Sequence, residues 1–108
     1  MAQLTAEGVV NDARYACNYV TYHAGRGQGP VRIAAGLRAR GLAAADIEAA
    51  LASGPDWRAL ANTVRARRFG KASPASWKEK ARQARFLQYR GFSADHTRAA
   101  TGIVPDTD

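Results

Sequence analysis

Three side chains in this 108-residue sequence could serve as nucleophile, proton shuttle or soft metal ligand: Cys17, His23 and His96. Zinc and similar ions need three or four such ligands at short spacings. Cys17 and His23 lie six residues apart, which places them on different faces of one helix, and no third ligand follows at metal spacing. A lone cysteine forbids an intramolecular disulfide and suits a reducing compartment. Carboxylates are sparse, and no phosphate-cradling P-loop or dinucleotide-type glycine pattern is present; Gly25 to Gly29 reads as a short interhelix loop. The residues therefore predict no enzyme, no metal site and no cofactor.

The remaining chemistry is cationic. The net charge of +7 is unevenly placed: residues 57–98 hold eleven Lys or Arg against only Glu79 and Asp95, whereas residues 1–56 are neutral. That excess is more than solubility requires and predicts an anionic partner. Lys78, Arg82, Arg85 and Tyr89 fall at i, i+4, i+7 and i+11, one stripe of a helix. With Arg65, Arg67, Arg68, Lys71 and Arg90 they form the predicted partner-binding set. Arginine outnumbers lysine thirteen to three, which suits bidentate pairing to phosphate or to carboxylate. Both acceptors remain open at this point.

The elements that must position these side chains are helices. Residues 1–10 read as an N-terminal arm or remnant helix. Asn11 or Asp12 caps the first clear helix, which runs to about Ala24 with Ala13, Ala16, Tyr19, Val20 and His23 on one face. Pro30 suits the first turn of a second helix with Ile33, Ala34 and Leu37 buried, and Gly41 stops it. A third runs from about Ala44 to Ala52 from a poor cap, Ala43. Asp56 caps a fourth, with Trp57, Leu60, Ala61 and Val64 inward, ending near Phe69. Ser76 and Glu79 form a capping box that opens a fifth helix. Gly91 stops it, and Ser93 caps a short sixth. No stretch reads as a strand. Trp57, Trp77, Phe86 and Phe92 are assigned to the core, three of them beside helix caps or stops.

The chain also repeats itself. Superposing Arg40-Gly41 on Arg90-Gly91 aligns Leu37 with Leu87, Leu42 with Phe92, and Ala34 with Ala84. Each copy reads as helix, Arg-Gly stop, one large apolar residue and another helix, the pattern of stacked units too small to bury their own apolar faces. The fold class predicted is all-α, tandem three-helix repeats. One unit covers residues 11–54, a basic one covers 55–102, and 103–108 is a disordered tail. No apolar run approaches the roughly 20 residues of a membrane span, and the first residues lack the regions of a signal peptide. A cytoplasmic monomer with no membrane contact is expected.

These residues resemble the RecX family of bacterial recombinase regulators. The likeness lies in Glu7-Gly8-Val9-Val10-Asn11-Asp12-Ala13-Arg14-Tyr15-Ala16, in Gly29-Pro30 with Arg32-Ile33, in Leu37-Arg38-Ala39-Arg40-Gly41-Leu42, and in Lys80 to Ser93 with its Arg85-Phe86-Leu87 and Arg90-Gly91-Phe92. It covers roughly residues 7–100, which on this resemblance leaves most of the family's first repeat expected to be missing. The resemblance implies three-helix repeats, no catalytic residues, and binding to the groove of a RecA–single-stranded DNA filament, which it inhibits or destabilises. Thr97 and Thr101 stand where the earlier copy has Ile47 and Leu51, so the last helix is expected to dock poorly. An autonomous nucleic-acid-binding module, on single-stranded or duplex DNA, and a structural remnant of a larger assembly are the rival readings.

Overall fold

The computed structural model describes residues 2–103, with side chains from residue 12 onward. Six helices follow one another: α1 (Ala2–Gly25), α2 (Pro30–Ala39), α3 (Ala44–Ala52), α4 (Trp57–Phe69), α5 (Trp77–Tyr89) and α6 (Ala94–Thr101). The described residues contain no strand. Helices α1–α3 pack on one another, as do α4–α6, in a molecule extending 57 × 28 × 16 Å. This is the predicted all-α repeat.

The helix ends explain why the chain turns where it does. At α4, Asp56 Oδ1 accepts from the backbone N–H of Arg58 and Ala59 at 3.1 and 3.2 Å. Ser76 Oγ accepts from Glu79 N at 3.0 Å to start α5. The capping box is only half made, because the Glu79 carboxylate turns instead to Arg82 and Gln83. Both Arg-Gly stops close alike. Leu42 N donates to Leu37 O and Gly41 N to Arg38 O; Phe92 N donates to Leu87 O and Gly91 N to Gln88 O. This six-to-one and five-to-two pairing requires a left-handed residue, supplied by Gly41 at φ +84° and Gly91 at φ +98°.

Three expectations need correction. The first helix does not begin at Asn11 or Asp12 but continues back to Ala2. Cap-type residues permit a start without enforcing one; inside a helix they cost under about 0.7 kcal/mol, and no proline interrupts the stretch. Trp77 is not core: it is 71% exposed. It opens α5 in an added turn that α2 lacks, so nothing in the repeat covers it. Helix α6 docks fully, with Thr97 and Thr101 buried. Thr97 keeps the β-branched shape of its counterpart Ile47, and Thr101 Oγ1 donates to Thr97 O at 2.8 Å. The tail beyond residue 103, Pro105 included, lies outside the described residues.

Thr97 retains a cost of that exchange. Its hydroxyl is buried and has no hydrogen-bond partner among the described residues. Thr97→Val keeps the shape and removes the stranded hydroxyl, so it should stabilise the fold by about 1 kcal/mol. A urea midpoint that stays put or falls would show that the hydroxyl is satisfied.

The core is one contiguous body in two parts. Ala16, Val20, Ala24, Ile33, Ala34, Leu37, Ile47 and Ala50 fill the first unit. Ala61, Val64, Leu87 and Phe92 fill the second. Trp57 and Leu60 pack against both. The units also meet backbone to backbone: Gly29 N donates to Arg90 O and Val31 N to Gly91 O, each at 2.9 Å. Orphan donors at the start of α2 thus meet orphan acceptors at the end of α5. A Cβ on Gly29 would stand 2.5 Å from the Gly91 backbone, and one on Gly91 would run into Arg32. Glycine is needed on both sides of this approach.

Candidate functional site

The cations follow from this packing. Helix α4 ends on Arg67 and Arg68, and α5 lies against it. Their facing aromatics, Phe69 and Phe86, meet edge to face at 5.3 Å between centroids. Three guanidinium groups surround that pair: Arg82 is 4.8 Å from the Phe69 ring centre, and Arg68 and Arg90 are 5.6 and 5.5 Å from that of Phe86. Cation–π contact of this kind holds an arginine in place without neutralising its charge.

The predicted binding residues divide into three groups. Arg67, Arg68, Lys71, Lys78, Arg85 and Tyr89 are exposed, and Arg90 is half-buried; Lys78, Arg82, Arg85 and Tyr89 share one exposed face of α5, as their spacing implies. Arg82 is exposed but engaged, bridging to the Glu79 carboxylate at 2.7 Å. This pairing holds Glu79 below the usual carboxylate range, with a further contribution from the Gln83 side chain, and raises Arg82.

Arg65 does not belong to the surface and leaves the binding set. It is 4% exposed, and its Nη1 donates to Gln83 Oε1 at 3.2 Å and Ala72 O at 3.3 Å, while Nε donates to Asn62 Oδ1 at 3.3 Å. It ties the 70–76 linker to α4 and α5. Charge counting cannot see this, since a buried arginine and an exposed one read alike in sequence.

A cleft of about 230 Å³ lies where the two units meet, lined by Arg26, Gly27, Val64, Arg67, Arg68, Phe86 and Arg90. Only two ion pairs occur among the described residues, Arg82–Glu79 and Arg98–Asp95. None of the four cleft arginines is therefore matched by a described carboxylate. Helix C-termini contribute about half a negative charge each, too little to offset four guanidinium groups at the ends of α1, α4 and α5. Such a concave, cationic site concentrates field lines and attracts anions. Arg26 comes from the neutral half and was missed in the sequence. Its signal, a basic residue in the glycine loop beside an Arg-Gly stop, has meaning only once the units are docked.

The nucleophile and metal candidates do not converge. Cys17 is exposed, 3.9 Å from Ser53 Oγ, and His96 Nδ1 lies 2.8 Å from Ser93 Oγ. Among the described residues, no three His, Cys, Asp or Glu side chains are grouped to hold a metal ion. No described helix is long and apolar enough to cross a membrane.

His23 packs against the Tyr19 ring at 4.1 Å and the edge of Tyr22 at 5.0 Å. Desolvation first, then the charges of Arg26 and Arg40, lowers it from its ordinary 6.5, with the Gln28 side chain opposing. The unfolded chain therefore protonates first as the pH falls. The stability tied to a neutral His23 should be complete above about pH 6.5 and decline below it, toward the depressed folded value. His23→Gln should flatten that part of a stability–pH curve; an unchanged slope would assign it to other groups.

Comparison with known proteins places this arrangement. Residues 11–51 match the second three-helix domain of RecX, and residues 56–101 match the third. A protein from Halorhodospira halophila named Regulatory protein RecX is 47% identical over 106 residues, covering 97% of this chain and 66% of that protein. The proteins of that name from Pseudomonas savastanoi pv. phaseolicola and Pseudomonas putida are each 45% identical over 94 residues, 86% of this chain. The chain spans 60–66% of the length of these relatives. With two successive domain matches, identity near one half, and six helices in two repeats, the chain belongs to the RecX family of regulatory proteins.

Proposed function

We propose that this chain binds a RecA-type filament on single-stranded DNA through the basic face of α4 and α5, and that this binding modulates the recombinase, in the direction of inhibition. The observation that carries the reading is the arginine-rich face, with Arg67, Arg68, Arg85 and Arg90 free of described carboxylate partners, on a chain of this family. Its action is occupancy of a surface rather than catalysis, and it needs no cofactor. It acts as a cytoplasmic monomer. Arg67 and Arg85 are exposed and make no described side-chain bond, so Arg67→Gln with Arg85→Gln should leave stability within about 0.5 kcal/mol per site. The pair should weaken partner binding, because each charge-assisted hydrogen bond contributes roughly 1.5–3 kcal/mol. The test is retention of the chain on immobilised RecA with and without single-stranded DNA, for wild type and the double variant. Full retention by a stably folded double variant would refute the assignment of this face.

The four-arginine cleft favours a second reading, an autonomous nucleic-acid-binding module. Salt separates the two. Direct phosphate contact makes the log–log slope about −0.7 per phosphate neutralised on single strands, whereas binding led by the filament protein requires RecA and falls less steeply. A structural remnant would be retained in neither arm.

A further inference from the structure

The cleft between the units joins an exposed aromatic surface through a single residue. Arg26 lines the cleft, donates from Nη1 to Tyr22 Oη at 3.3 Å, and lies 5.6 Å from the Tyr22 ring centre. Tyr22 is 60% exposed and stands edge-on to His23, which packs on Tyr19; Tyr19 leads on to Tyr15, 44% exposed. Residues 15, 19, 22, 23 and 26 fall on one stripe of α1 and the turn after it. We propose that the cleft seats one phosphate of a single-stranded nucleic acid and that Tyr22, braced by Arg26, stacks the adjoining base.

Size supports a phosphodiester rather than a whole cofactor. About 230 Å³ is below the roughly 300–1,000 Å³ of ordinary small-molecule pockets. Chemistry supports phosphate: arginines from three chain segments converge there, and a guanidinium pairs bidentately with such an oxyanion. The tyrosine separates nucleic acid from an acidic protein, since a carboxylate chain has no flat face to place on Tyr22. It separates single strand from duplex as well, because paired bases are stacked on one another and unavailable. A cationic groove beside aromatic platforms is the general arrangement for holding single strands without regard to sequence. Both units contribute, so the backbone contacts of Gly29 and Val31 with the Arg90-Gly91 turn preserve the site's geometry.

This inference rests on the second reading above, direct contact with nucleic acid, and names which strand chemistry the chain itself touches. Fluorescence anisotropy without recombinase tests it, using labelled oligothymidylate, an abasic strand of equal length, a blunt duplex and polyglutamate as competitor. Oligothymidylate should bind about 5- to 100-fold more tightly than the abasic strand and more tightly than the duplex. Tyr22→Ala should erase the preference over the abasic strand, Tyr22→Phe should keep it, and Arg26→Gln should weaken both strands. Both side chains are exposed, and an unchanged circular dichroism melt confirms intact variants. Equal affinity for abasic and base-bearing strands, a preference that survives Tyr22→Ala, or displacement by polyglutamate as effective as by oligothymidylate would overturn it. Filament modulation is read separately. Its absence counts against the proposed function and leaves these affinities standing; its presence without the base preference overturns this inference alone.

Discussion

Leu87→Ala should lower stability by about 2–5 kcal/mol, the range for deleting a buried leucine. Leu87 is fully buried on α5, in a cluster whose other buried members are Ala61, Val64 and Phe92. Two of those four side chains, Leu87 and Phe92, are also the turn's apolar contact across the Arg-Gly stop. The substitution therefore opens a cavity and loosens the end of α5 together. Alanines fill much of the surroundings and have no side-chain length with which to close it. The equivalent Leu37→Ala, also fully buried, should fall in the same range if the repeat is energetic as well as geometric. Urea denaturation followed at 222 nm checks both. An unmoved midpoint for Leu87→Ala would remove it from the core, and with it the superposition of the two copies.

Arg65→Met should cost about 1–3 kcal/mol, the penalty for leaving a buried acceptor unpaired, since every partner of Arg65 is neutral and no charge is stranded. The methionine replaces the stem but leaves Gln83 Oε1 and Ala72 O without the donor that now reaches them. Gln83 is buried and its acceptor carries that cost, whereas Ala72 is exposed and its carbonyl can turn to water. The damage should extend along the network, because Gln83 Nε2 in turn donates to Glu79 Oε2 at 2.8 Å, and Glu79 holds Arg82. Arg65→Lys should rescue little, since a single ammonium cannot span acceptors on α4, the linker and α5 as a planar fork does. A second readout is limited trypsin digestion: the linker loses its tie, so cleavage after exposed Lys71 should accelerate. The contrary result, a fully stable Arg65→Met with weaker strand binding, would return Arg65 to the binding surface.

Local chemistry made much of the fold legible. Asp56, Ser76 and Ser93 accept from the backbone donors that their positions ahead of apolar-periodic stretches imply. Gly41 and Gly91 take the left-handed geometry that ends α2 and α5, and Leu37 and Leu87 are buried alike. These features depend on residues within one turn of each other, so their spacing in sequence is already their spacing in space. The same holds for the exposed stripe of Lys78, Arg82, Arg85 and Tyr89. Where the sequence reading failed, the competing influence came from elsewhere. Asn11 and Asp12 permit a helix start that the continuous helix overrides, and Trp77 has an apolar side chain but no second element to cover it.

The sequence by itself determined the helices, their stops, the repeat and the excess of positive charge in the second half. Outside the α5 stripe, tertiary structure decided which of those charges face solvent. Arg65 and Arg67 are two residues apart with the same side chain, yet helical geometry turns one inward to Gln83 and the linker and leaves the other on the surface. It also decided that Arg26, from the neutral half, joins Arg67, Arg68 and Arg90 around one cleft. That convergence depends on Gly29 meeting Gly91 across sixty-two positions of chain, through two backbone hydrogen bonds that carry no side-chain signature. A glycine in sequence announces freedom; only the docked units show that here it supplies the space for a contact.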